Sequence, residues 1–163
     1  MKIYLIGMMG SGKSTLGIEL AKRLNYRFID MDSYIEDETK MTINDIFKTY
    51  GEVWFREYEK KVLNDFFKMD DLVIATGGGI IKNKNNKALI DGLCVYLECP
   101  LEELEKRLEG DNQRPLLKTR SVKEILEERL PLYEYFKDIK VLNVDMDKAI
   151  KTIMEEIKWK YWF

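Results

Sequence analysis

Eight residues near the start of the chain, Gly7-Met8-Met9-Gly10-Ser11-Gly12-Lys13-Ser14, have the spacing G-x-x-x-x-G-K-[ST]. Glycines at these positions let successive backbone N–H groups curl inward around an anion. A helix opening at Lys13 adds the partial positive charge of its N-terminus. The Lys13 ammonium has the reach for the β- and γ-phosphates of a nucleotide, and the Ser14 hydroxyl is a hard oxygen ligand for Mg²⁺. With Gly10, Ser11, Gly12 and Thr15 they are read as a site for the phosphates of ATP. The motif alone does not separate a kinase from a GTPase or a mechanical ATPase. No N-K-x-D element for guanine occurs, and 163 residues are few for a motor or a transporter ATPase.

Phe28-Ile29-Asp30-Met31-Asp32 ends an apolar run. Period-two alternation of a strand predicts Asp30 and Asp32 on one side. One carboxylate would hold Mg²⁺ through water, and the other would take the proton of an attacking hydroxyl. The plainer alternative is that Asp32 caps a helix starting at Ser33. A third run, Leu72-Val73-Ile74-Ala75-Thr76, ends without an acid, which leaves Asp30 as the nearest carboxylate for a metal.

Gly77-Gly78-Gly79 follow that run and offer bare backbone to a small ligand. The alternative is a tight turn. Four arginines stand near these motifs in the chain order: Arg56, Arg107, Arg114 and Arg129. A lone arginine is usually a solvated surface group, but its fork also clamps carboxylate and phosphate with two parallel bonds. The polar stretch around Arg114, residues 109–119, has the composition of a mobile lid.

These residues need a frame. Apolar runs at Lys2–Ile6, Arg27–Asp30, Leu72–Thr76, Leu93–Glu98 and Lys140–Val144 read as strands. Helical patterns lie between them: Lys13–Leu24, Thr42–Tyr50, Val53–Lys68, Asn83–Ile90, Leu101–Leu108 and Val122–Phe136, with Asp147–Lys160 closing the chain. A break is expected near Gly51, and Pro131 should kink or divide its helix. Such alternation implies a parallel sheet covered on both faces, in a three-layer α/β sandwich. Ligands of such sheets sit at the carboxyl ends of the strands. The tail aromatics Trp159, Tyr161, Trp162 and Phe163 are expected to dock on the core.

The net charge of −2 leaves no basic field for a nucleic-acid backbone. No run approaches the roughly 20 apolar residues of a membrane helix. Met1–Gly7 is read as a buried strand rather than a signal peptide, which points to the cytoplasm. The two cysteines, Cys94 and Cys99, fit no disulfide framework, and the absence of histidine excludes catalysis by that residue.

In order along nearly the whole chain, these motifs resemble the shikimate kinases. They are G-M-M-G-S-G-K-S at Gly7–Ser14, F-x-D-x-D at Phe28–Asp32 and F-R-x-x-E at Phe55–Glu59. The G-G-G after the third strand, R-P-L-L at Arg114–Leu117 and R-x-P-x-Y at Arg129–Tyr133 complete them. The resemblance implies one domain, residues 1–163, with a nucleoside-monophosphate-kinase-like P-loop fold and a five-stranded parallel sheet in the order 2-3-1-4-5. It implies a substrate region over residues 32–68 and a lid over 109–119. It implies Mg²⁺-dependent transfer of phosphate from ATP to the 3-hydroxyl of shikimate, by a monomer.

On matching positions, Asp32 would be the base and bind the ring hydroxyls, with Lys13 and Arg114 assisting transfer. Arg56 and Arg129 would hold the carboxylate, Glu59 would orient Arg56, and Gly77, Gly78 and Gly79 would lie against the substrate. Arg107 would lie by the adenine, Arg114 would reach the phosphates, and Ser14 and Asp30 would serve the metal. The residues alone support a small, hydroxyl-bearing, anionic acceptor. A gluconate-kinase-like enzyme and a nucleotide-binding regulatory module that transfers nothing are the alternatives.

Overall fold

A computed structural model describes residues 1–111 and 114–161. Five strands form one sheet in the order β2-β3-β1-β4-β5, and every neighbouring pair is parallel. They are β1 (Lys2–Ile6), β2 (Arg27–Asp30), β3 (Leu72–Ala75), β4 (Leu93–Glu98) and β5 (Ile139–Leu142). The helices are α1 (Lys13–Leu24), α2 (Met31–Thr39), α3 (Ile43–Phe66), α4 (Leu101–Arg107), α5 (Val122–Phe136) and α6 (Met146–Tyr161).

The alternation of β1 decides the layering. Ile3 and Leu5 pack into a core with Leu16 and Leu20 of α1 and Ile150 and Ile153 of α6. Tyr4 points to the opposite face, against Ile35 of α2 and Val62 and Phe66 of α3. Ile6 joins Tyr96, Leu104, Tyr133 and Phe136 beneath α4 and α5. Strands buried on both faces carry apolar residues continuously, as β1 after Lys2, all of β3 and most of β4 do.

Three local expectations are corrected, and of the two outcomes expected of Pro131, division of its helix does not occur. Asp32 is not on β2: the strand stops at Asp30, whose carboxylate accepts from the Ser33 N–H at 3.1 Å and caps α2. Asp32 therefore lies in the first helical turn, and the capping that was the plainer alternative for Asp32 is done by Asp30. The Asn83–Ile90 segment is a 3₁₀ turn over Lys84–Leu89. Pro131 does not divide α5, because the carbonyl that it leaves without a donor belongs to Glu127 on the exposed side. Trp159 and Tyr161 do not dock on the core; they are 77% and 52% exposed. Trp162 and Phe163 lie outside the described residues.

The break at Gly51 holds as expected. Its φ of 85° and ψ of 172° interrupt α3, and a Cβ there would meet nothing within 4 Å, so backbone conformation is what requires glycine. Among the described residues no helix is long and apolar enough to cross a membrane.

Candidate active site

A cleft of about 1170 Å³ opens at the carboxyl ends of β1, β2 and β3. Its floor is the turn from β1 to α1. Gly12 caps α1 in the left-handed region, with φ 91°. Any side chain at that position would also strike the Asn143 amide, which donates from Nδ2 to the Ser11 carbonyl at 2.7 Å. Arg107 braces the same turn from α4, donating to the carbonyls of Gly10 and Asn143, each at 3.1 Å. The N–H groups ahead of α1 are thereby held in an anion-binding curl.

Lys13 folds back over this loop and donates to the carbonyls of Gly7 and Met8 at 2.7 and 3.0 Å. Burial, and after it the Arg114 guanidinium, lowers its ammonium to about 8. An arriving phosphate would reverse that shift. The Ser14 hydroxyl donates to Oδ2 of Asp30 at 2.7 Å. A hydroxyl and one carboxylate at the phosphate mouth suit Mg²⁺, which keeps waters and takes its other ligands from phosphates. Among the described residues no cluster of three or more His, Cys, Asp or Glu could hold a metal alone.

The acceptor side is built from α2, α3, α5 and the glycines. Asp32, Arg56, Arg129, Gly78 and Gly79 line the same cleft. Burial first, and then the Asp30 carboxylate, raises the Asp32 carboxyl. Arg56 donates from Nη1 to Glu59 at 2.5 Å, and Glu59 is 1% exposed. Arg129 is 4% exposed, and among the described residues no carboxylate forms an ion pair with it. A buried guanidinium without a counter-charge is costly, and an anion would offset that cost.

The three glycines have a spatial reason. A Cβ on Gly77 would lie 2.9 Å from both Asp32 Oδ1 and Glu59 Oε2, and one on Gly78 would lie 3.1 Å from Arg129 Nη1. A Cβ on Gly79 would overlap the Arg56 guanidinium. None of the three has a positive φ. Bare backbone therefore makes room for the charged side chains.

Against known proteins, residues 9–159 match the family model described as shikimate kinase.

The chain belongs to the shikimate kinase family.

A shikimate kinase from Clostridium botulinum (strain Loch Maree / Type A3) is 45% identical, covering 97% of this chain and 97% of its own. One from Rippkaea orientalis is 44% identical, covering 95% of this chain and 84% of its own. Among solved structures, shikimate kinase from Acinetobacter baumannii in complex with shikimate superposes with a TM-score of 0.88 at 37% identity, covering 98% of this chain and 94% of that one. The Aquifex aeolicus shikimate kinase gives 0.82 at 34% identity, covering 99% of both chains. A Sinorhizobium meliloti gluconokinase shares the fold alone, with a TM-score of 0.54 at 15% identity, covering 98% of this chain and 97% of that one. The fold is the nucleoside-monophosphate-kinase-like P-loop fold expected from the family.

The lid expected of a shikimate kinase is only partly described. Arg114 donates from Nε to Asp111 at 2.8 Å and lines the cleft. A 3₁₀ turn follows over Pro115–Lys118. Asn112 and Gln113, within the expected lid, lie outside the described residues. Sequence reasoning missed Asn143, Glu52 and Lys82, all of which line the cleft. Asn143 could have been found, since it directly follows β5 at the carboxyl edge. Glu52 and Lys82 carry no local signal.

Two predictions arise here. Replacing Gly79 with alanine should leave the fold intact, because the obstructing atoms are the far end of the flexible Arg56 side chain. Arg56 must then leave its place, and KM for the acceptor should rise about tenfold or more, as expected for losing a charged hydrogen bond. An unchanged KM with full stability would contradict this geometry.

The second concerns Glu59. Burial raises its carboxyl from an ordinary 4.5 to about 7, against the opposing pull of Arg56. The folded state thus holds this proton more tightly than the unfolded chain does. The resulting stabilisation is complete below about pH 4.5 and is lost as pH rises through about 7, a loss of about 3 kcal/mol. Glu59→Gln cannot titrate, so its urea-unfolding free energy should fall less steeply between pH 4.5 and 7.5. Identical slopes in the two proteins would refute the assignment.

Proposed function

We propose that the chain transfers the γ-phosphoryl group of ATP to the 3-hydroxyl of shikimate, yielding shikimate 3-phosphate and ADP for aromatic amino acid biosynthesis. One observation carries the reading: a phosphate loop and two arginines, one of them buried with no carboxylate paired to it among the described residues, face one cleft. Family membership and the superposition on a shikimate kinase in complex with shikimate support it.

In this reading the Arg129 and Arg56 guanidiniums hold the acceptor's carboxylate, and Gly77, Gly78 and Gly79 form the wall beside them. Asp32 accepts the proton as the 3-oxygen forms its bond to the γ-phosphorus. The bond from that phosphorus to the bridging oxygen breaks, and ADP leaves with the electron pair. Lys13 and Arg114 offset the charge on the phosphoryl oxygens, and the loop N–H groups of Gly10, Gly12, Ser14 and Thr15 fix the phosphates, while the Ser11 N–H closes the loop by donating to the Met8 carbonyl at 3.0 Å. Arg107 stands beside the adenine. Ser14 and, through water, Asp30 would hold Mg²⁺, which would offset the negative charge of the phosphates. The proposal takes residues 32–68 as the substrate region and 109–119 as the lid of a single cytoplasmic domain acting as a monomer, with no nucleic-acid or membrane partner.

A coupled ADP-release assay tests it, with shikimate, gluconate and nucleoside monophosphates offered at equal concentration. Shikimate should be turned over preferentially. ATP consumption indifferent to the acceptor would sink the assignment.

A further inference from the structure

The Arg56 guanidinium has two edges, and both are engaged within the chain. Nη1 donates to the Glu59 carboxylate at 2.5 Å, and that side chain is 2% exposed. Nε and Nη2 both donate to a single oxygen, Oε1 of Glu52, at 3.4 and 3.3 Å. Glu52 is 56% exposed and its contacts are long. The Nε and Nη2 edge is one that a carboxylate takes with two parallel bonds. Lys82 Nζ lies 3.8 Å from the same Glu52 oxygen. Glu52 directly follows Gly51, so the helical turn that carries it starts afresh at the break in α3.

We propose that Glu52 is an internal stand-in for the acceptor's carboxylate: it holds the open edge of Arg56 until the acceptor displaces it towards Lys82. This inference rests on the reading of shikimate as acceptor. Glu59 cannot play the part, because it is buried and fixed. Glu52 has solvent on one side and a second cation within reach, so its displacement strands no charge. The consequence is a specificity filter. A carboxylate exchanges one anion for another on Arg56. An alcohol without a carboxylate has nothing to exchange, leaves Glu52 in place and gains no ionic contact there.

An exposed ion pair at i,i+4 spacing is weak, so the effect is modest and directional. Glu52→Gln keeps the size of the side chain and removes its charge. Its kcat/KM for shikimate should rise about two- to fivefold, with the change carried by KM. Calorimetry on the full chain should show shikimate binding tighter by the same factor. Binding of shikimate methyl ester, which has no charge to exchange, should stay within twofold of wild type. A structural role for Glu52 would move both affinities together; that result, or an unchanged or weaker affinity for the acid, would overturn the proposal. Wild-type protein that fails to turn over shikimate at all would instead overturn the acceptor assignment, and this inference with it.

Discussion

Asp32→Asn is expected to lower kcat by about 10²- to 10⁴-fold, the usual range for removing a general base. The fold and ATP affinity should be retained. Asparagine has the same shape, and the first turn of α2 stays capped by Asp30. The case for Asp32 rests on its place. It lines the cleft with Lys13 and Arg56, and it shares the space above Gly77 with Glu59. Burial and Asp30 raise its carboxyl, which makes it a better proton acceptor than a solvated aspartate. Phosphoryl transfer through a loose transition state asks less of a base than acyl transfer does. The size of the drop therefore discriminates. A hundredfold loss or more places Asp32 on the reacting hydroxyl. A loss below tenfold would reduce it to a group that orients the ring.

Arg129→Met should weaken shikimate binding by roughly 2–5 kcal/mol, on the order of thirty- to several-thousand-fold, while ATP affinity changes little. Its effect on stability should run the other way. Arg129 is 4% exposed and sits in α5 facing Gly78, and a charge held there with no carboxylate paired to it among the described residues costs free energy. Methionine fills similar space along the helix and brings no charge. The thermal midpoint should stay level or rise by a few degrees as acceptor binding is lost. Calorimetric titration with shikimate and with ATP, beside a thermal melt, reads all three. Equal losses for both ligands, or a large drop in the melt, would mean that Arg129 holds the fold together rather than the acceptor.

The two substitutions probe opposite halves of one design. Asp32 is a carboxylate made less acidic, and Arg129 is a buried cation with no carboxylate paired to it among the described residues. Each is costly in a place partly or wholly withdrawn from water, and each is suited to a ligand that carries the complementary group.

Much of this was legible in the residues. The G-x-x-x-x-G-K-S spacing defines its loop from local geometry alone, because neighbouring N–H groups and the helix start lie within eight residues. Continuous apolar runs specify buried parallel strands, because each face of the sheet must be covered. What the chain alone could not decide were relations between distant segments. The alternation that put Asp30 and Asp32 on one strand face failed, because a side-chain cap ends β2 one residue before Met31. The glycine run looked like room for a ligand. Only packing shows that Arg56, from 23 positions earlier in the sequence, and Arg129, from α5, occupy the same space. Glu52 and Asn143 acquire meaning only when α3 and the β5–α6 turn are brought to the cleft. Local sequence sets which backbone conformations are cheap. Charge pairing and burial depend on distances that exist only after the sheet has closed.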